Sequence, residues 1–227
     1  MEKLPRLTGG VALIAAPIAL VASELLYGNN PEDPARSLAF LEAHESSFRT
    51  ANLLGLLAAA LFIPAMVALA TLPGHGRGRT WAAAGATLGA LGVAGYAAHT
   101  GAFIVIGQMA KQARDRDAMA DLLEALNGNP TLGVVFMLFL FGLYLGLVLL
   151  MVGGWRARRL TLWSMVAVVA AVVLASVPII DGAEYVAEAL VIVGLGAAGF
   201  EVLRGSADQG AEPTAIPATT GSSHPAS

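Results

Sequence analysis

With 227 residues, 56% of them hydrophobic and only 13% charged, and a mean hydropathy of +0.70, this chain lies outside the range of soluble domains. It has no cysteine, which excludes disulfides, thiolate catalysis and iron–sulfur ligation. A net charge of −3 and the lack of an arginine-rich cluster set aside nucleic acid and leave the lipid bilayer as the expected partner.

Six apolar stretches, at about 9–27, 51–72, 80–107, 132–154, 161–180 and 185–203, approach the roughly 20 residues a helix needs to cross a bilayer. The expected fold is all-α: a polytopic bundle of six transmembrane helices over 1–204, with two outer-surface amphipathic helices and a disordered cytoplasmic tail over 205–227. Lys3, Arg6, Arg77, Arg79, Arg156, Arg158, Arg159 and Arg204 fall on one side. Arg36, Arg49, Lys111, Arg114 and Arg116 fall on the other, diluted by ten acids. This bias places both termini in the cytoplasm.

In chain order, the first stretch carries Pro17, where a kink is expected, and Glu24 near its outer end. Lys3, Arg6, the apolar run 11–22 and Val21-Ala22-Ser23 also fit a signal peptide, whose cleavage would make Glu24 a new N-terminus. An apolar length of about 19 residues favours the span. In the first outer loop, Asp33 is a natural N-cap with Pro34 at the first helical position, and Leu38, Leu41 and Phe48 form an apolar side. The second stretch contains Pro64. The third carries Gly85, Gly89 and Gly92 at i, i+4 and i+7, a small-residue stripe that allows close helix approach. Tyr96 and His99 fall within about 40° of the same line and are expected to point into the bundle.

The second outer loop repeats the amphipathic pattern with Met119, Leu122, Leu123 and Leu126, and Asn127-Gly128-Asn129-Pro130 stops it. Both outer helices are expected to cap the bundle, the alternative being solvated connectors. The order outer helix, span, short basic loop, span occurs at 34–107 and again at 109–180, with Trp81 and Trp163 at matching places. The fourth stretch holds Gly142 and Gly146, a second close-packing pair, and most of the aromatics of the later spans: Phe136, Phe139, Phe141 and Tyr144. Asp181 and Glu184 fit an N-cap and N3 acid for the last helix, which also carries Glu188.

Counting at 1.5 Å per residue from the cytoplasmic anchors brings Glu24, His99, Asp181 and Glu188 to one outer level. Carboxylates inside spans are rare and usually face a cavity or a partner. Glu24, Tyr96, His99, Asp181, Glu184 and Glu188 are therefore the candidate ligand-binding residues, and Glu24 and Glu188 the candidate catalytic acids. Each also has an ordinary role, as a helix cap, an interfacial histidine or a carboxylate rising to the headgroups. A metal held by Glu24, His99 and Glu188 lacks any short ligand motif, and no cofactor is expected.

The run FLEAHESSFRTANLLGLLAAALFIPAMVALATL and the later run FMLFLFGLYLGLVLLMVGGWRARRL resemble an uncharacterised family of six-span bacterial integral membrane proteins, a domain of unknown function, over about 35–200. That resemblance implies six spans and the bacterial inner membrane, and carries over no catalytic residue.

Two functions are expected from these residues. One is a non-enzymatic bundle that binds, senses or moves a small lipophilic or cationic solute through a polar pocket in its outer half. The other is a membrane-embedded enzyme on a lipid or isoprenoid, in which Glu24 or Glu188 is a general acid. Aromatic residues around the pocket discriminate, because a carbocation needs them.

Overall fold

The computed structural model describes residues 3–28, 30–31, 33–111, 115–176 and 182–208, and among these eight helices and no strand form. They are α1 (Lys3–Tyr27), α2 (Pro34–Ala43), α3 (Glu45–Thr71), α4 (Arg79–Lys111), α5 (Arg116–Asn127), α6 (Pro130–Arg156), α7 (Leu162–Ser176) and α8 (Ala183–Asp208). Within α6, Phe141–Leu145 form a π-helical turn. Five helices, α1, α3, α4, α6 and α8, are long and apolar enough to cross a membrane. The fifth apolar stretch is helical over Leu162–Ser176, and 177–180 lie outside the described residues.

The long helices pack in a closed ring in chain order: α1 on α3, α3 on α4, α4 on α6, α6 on α7, α7 on α8, and α8 back on α1. Short links join α3 to α4 and α6 to α7, so these neighbours run antiparallel. The ring's interior near the α3–α4 turn is filled with aliphatic side chains: Leu13, Leu69, Leu150, Met151 and Leu195 are among those completely buried. Its exterior is also apolar, with Leu53, Ile63, Val67, Val173 and Phe200 all exposed. An apolar outside around an apolar core suits lipid, not water. This is a multi-pass membrane protein.

Glycine decides how closely the ring closes. A Cβ on Gly92 would stand 2.0 Å from the Leu143 nitrogen, and one on Gly146 would stand 2.5 Å from the Gly89 nitrogen. The two glycine stripes expected from the sequence thus pack against each other, backbone on backbone, along the α4–α6 seam. A second close approach joins α1 to α8, where a Cβ on Gly199 would stand 2.7 Å from the Gly10 carbonyl oxygen. α1 is built into the core: Leu13, Ala16 and Pro17 are buried, and the Ser23 hydroxyl donates to the Ala51 carbonyl at 2.8 Å.

The short helices close the other end. Asp33 accepts from the Arg36 amide at 2.8 Å and caps α2, and Asp115 accepts from the Ala118 amide at 3.1 Å and caps α5. Leu38 and Leu41 of α2, Leu123 of α5, Phe48 of α3 and Ala110 of α4 make one buried cluster. The capping arrangement is the one that forms, not solvated connectors. Leu122 departs from expectation: it is 45% exposed, turned away from that cluster. Both α3 and α4 also run past their expected bounds, starting at Glu45 and ending at Lys111. Those extra turns carry Glu45 and Lys111 into an ion pair at 2.6 Å, beside the pair of Glu42 with Arg116. The element order α2–α3–α4 recurs as α5–α6–α7, as the repeat requires.

Candidate functional site

The α1–α8 contact explains how two separately threaded carboxylates meet. From the Gly10–Gly199 approach, Glu24 lies fourteen residues further along α1 and Glu188 eleven residues back along α8. At 1.5 Å per residue these are climbs of about 21 and 16 Å, and at 100° per residue both return to within about 40° of the contact line. The difference in height is within side-chain reach. Both glutamates line one cleft between these helices.

Glu24 sits where two cavities meet. The first is a chamber of about 450 Å³ beneath the α2 cap, lined by Ser23, Glu24, Tyr27, Tyr96, His99, Thr100, Phe48, Phe103 and Phe139 among others. The second is a cleft of about 110 Å³ that holds Glu24, Glu184 and Glu188 together with Tyr144, Ala171 and Ala175. Among the described residues, neither lining contains a lysine or an arginine.

The chamber wall is aromatic. Tyr96, only 5% exposed, stacks on Phe139 at 4.8 Å between ring centres. Tyr27 meets Phe48 at 5.2 Å and Phe103 at 5.3 Å. His99 lies against Phe103 at 4.8 Å, Phe136 at 5.3 Å and Phe139 at 5.8 Å. As its position relative to the glycine stripe implies, His99 faces the bundle. It forms no hydrogen bond with another described residue and lines the chamber.

Behind the wall lies a polar belt that fixes the aromatic rings. The Tyr27 hydroxyl donates to the Asn52 side-chain oxygen at 2.7 Å, and Thr100 donates to the Tyr96 carbonyl at 3.0 Å. The Tyr96 hydroxyl and Ser23 Oγ both crowd the space over Gly55, where a Cβ would stand 3.2 and 3.3 Å from them. Gly55 therefore lets two hydroxyls and a methyl group fit between α1, α3 and α4. The π-helical turn does comparable work on the far side. Gly142 faces α4, while Tyr144, two residues on, is carried round to the cleft beside the glutamates.

No family model, curated protein or solved structure matches this chain. What the site can do rests on its own chemistry.

Of the residues expected from the sequence, the structure brings Glu24, Glu184 and Glu188 together in the cleft and Glu24, Tyr96 and His99 together in the chamber. Asp181 lies outside the described residues. Glu184 occupies the first turn of α8, which starts at Ala183, and also lines the cleft. The metal arrangement of Glu24, His99 and Glu188 is not assembled: among the described residues no three histidine, aspartate or glutamate side chains gather to hold an ion.

Sequence reasoning missed Ser23, Tyr27, Phe48, Phe103 and Thr100 as chamber residues. It sought aromatics in the fourth stretch, where Phe139 and Tyr144 do face inward but Phe141 is 67% exposed. A signal was present for Tyr27 and Phe103. Tyr27 is three residues beyond Glu24, and Phe103 is four residues beyond His99, so each shares a helix face with a residue already singled out.

Proposed function

We propose that this chain is a six-span protein of a bacterial inner membrane, with both termini in the cytoplasm, that binds a small lipophilic cation in its outer half and senses or moves it. The basic short loops support that placement of the termini. The observation that carries the ligand class is the pairing of an aromatic chamber with glutamates, with no lysine or arginine in either lining among the described residues. Aromatic faces attract a desolvated cation, and Glu24 with Glu188 supplies the counter-charge. A chamber of about 450 Å³ is within the usual range for small-molecule pockets. Glu24, at the junction, is the step between chamber and cleft, and the α2–α5 cap covers the entrance.

A second reading is favoured by the same wall. Tyr27, Phe48, Tyr96 and Phe103 extend the aromatic surface well beyond α6, and such a surface also shields a carbocation. On that reading the protein is a membrane-embedded enzyme on a lipid or isoprenoid, and Glu24 or Glu188 is the general acid.

Mass spectrometry of the small molecules that co-purify in mild detergent separates the two. An organic cation retained through purification supports the binding protein, and a retained isoprenoid or its cyclised product supports the enzyme. Recovery of bulk phospholipid alone, from protein whose chamber is intact by other measures, counts against both.

A further inference from the structure

A third cavity lies on the outward faces of α3 and α4, near the cap. It is a groove of about 180 Å³ with Leu53, Leu56 and Ile104 toward the bilayer centre and Glu45, Arg49, Gln108 and Lys111 toward the cap. The helical repeat places Glu45, Arg49, Leu53 and Leu56 on one face of α3, with Ile104, Gln108 and Lys111 on the facing side of α4. From Arg49 to Leu56 the descent is about 10 Å. The groove therefore passes from charged to apolar over the same distance as a phospholipid passes from phosphate to acyl chain.

Its charge is also specific. Lys111 is paired with Glu45 at 2.6 Å, and the nearby Arg116 is paired with Glu42. Arg49 has no carboxylate partner among the described residues. Counting Arg49 and Lys111 against Glu45, the groove lining carries a net charge of +1. Phe48 closes the inner wall, its ring lying over Gly107, where a Cβ would stand 2.7 Å from the ring. The groove is thus separated from the aromatic chamber and opens toward lipid.

We propose that this groove is a site for one anionic phospholipid. The phosphate lies on the Arg49 guanidinium, with the Gln108 amide and Lys111 as further donors, and an acyl chain runs along Leu53, Leu56 and Ile104. A guanidinium offers two parallel N–H bonds to a phosphate, and the extra positive charge favours a headgroup of net charge −1 over a zwitterion. The site does not depend on what the chamber binds.

The test is native mass spectrometry of the full chain in detergent, titrated with dioleoyl phosphatidylglycerol or dioleoyl phosphatidylcholine. One phosphatidylglycerol is expected to bind in preference to phosphatidylcholine. Arg49→Gln should weaken phosphatidylglycerol binding roughly tenfold, as loss of a charge-assisted contact implies. Arg49→Lys should keep the preference. Glu45→Gln, which releases Lys111, should strengthen it, and Leu56→Trp should weaken both lipids by filling the acyl seat. Equal binding of the two lipids by the wild type, or Arg49→Gln behaving as wild type, would overturn the proposal. So would loss of the preference in Arg49→Lys, or a dimer of the chain that excludes lipid from the groove.

Discussion

Replacing Glu24 with glutamine keeps the shape of the chamber and removes one negative charge where the two cavities meet. A cation about 4 Å from a carboxylate gains about 4 kcal/mol in surroundings of intermediate dielectric, before the cost of stripping water from both is counted. Net contributions of charged contacts run to about 1.5–3 kcal/mol, so the variant should bind an organic cation roughly 10- to 100-fold more weakly. Glu188→Gln should act in the same direction. Their effects should not add, because the two glutamates line one cleft and serve one ligand.

Benzyltrimethylammonium and its neutral isostere neopentylbenzene make a suitable probe pair, measured by equilibrium dialysis against protein in nanodiscs. The cation should bind the wild type more tightly than the isostere does, and the Glu24 substitution should abolish most of that difference while shifting the isostere less than about twofold. Phe103→Leu removes one aromatic face and should weaken the cation by a further factor of about 2–30. Equal affinities for cation and isostere in the wild type would refute the electrostatic reasoning, whatever the variants do.

Three further outcomes follow from the fold. Gly92→Ala forces the α4 and α6 backbones apart and should cost at least about 2–3 kcal/mol, read as a lower midpoint in denaturant or heat. Gly196→Ala, where a Cβ meets nothing within 4 Å, should be neutral or slightly stabilising. Tyr27→Phe strips the Asn52 oxygen of its donor and should cost about 1–2 kcal/mol by the same measurement. It should also loosen cation binding, since Tyr27 anchors two rings of the wall. Because the chain has no cysteine, single substitutions report topology directly. His75→Cys should react with an impermeant maleimide only from the cytoplasmic side and Ser46→Cys only from the opposite side, and the reverse pattern would invert the proposed orientation.

The apolar stretches, the glycine stripes and the capping signals were legible in the sequence because each depends on local chemistry. Asp33 before Pro34, and the spacing of Gly85, Gly89 and Gly92, point to structure without knowledge of any neighbour. The level shared by Glu24, His99 and Glu188 was legible too, since a helix's rise per residue is constant and the basic loops supply a zero. What it could not show is which residues at that level touch. Glu24 and Glu188 share a cleft, whereas His99 shares only the chamber with Glu24 and lies there among phenylalanines.

The chain's amino acids alone determined that it is helical, carries several helices apolar and long enough to thread a membrane, and sets Glu24 and Glu188 inside two of them, because hydropathy, period and helix rise are properties of each segment by itself. Only the tertiary structure decided the ring order of the helices, the Gly10–Gly199 approach that brings two glutamates together and the aromatic lining drawn from α1, α3, α4 and α6. Those depend on the rotation of each helix about its axis, and that rotation is set by the neighbour it packs against.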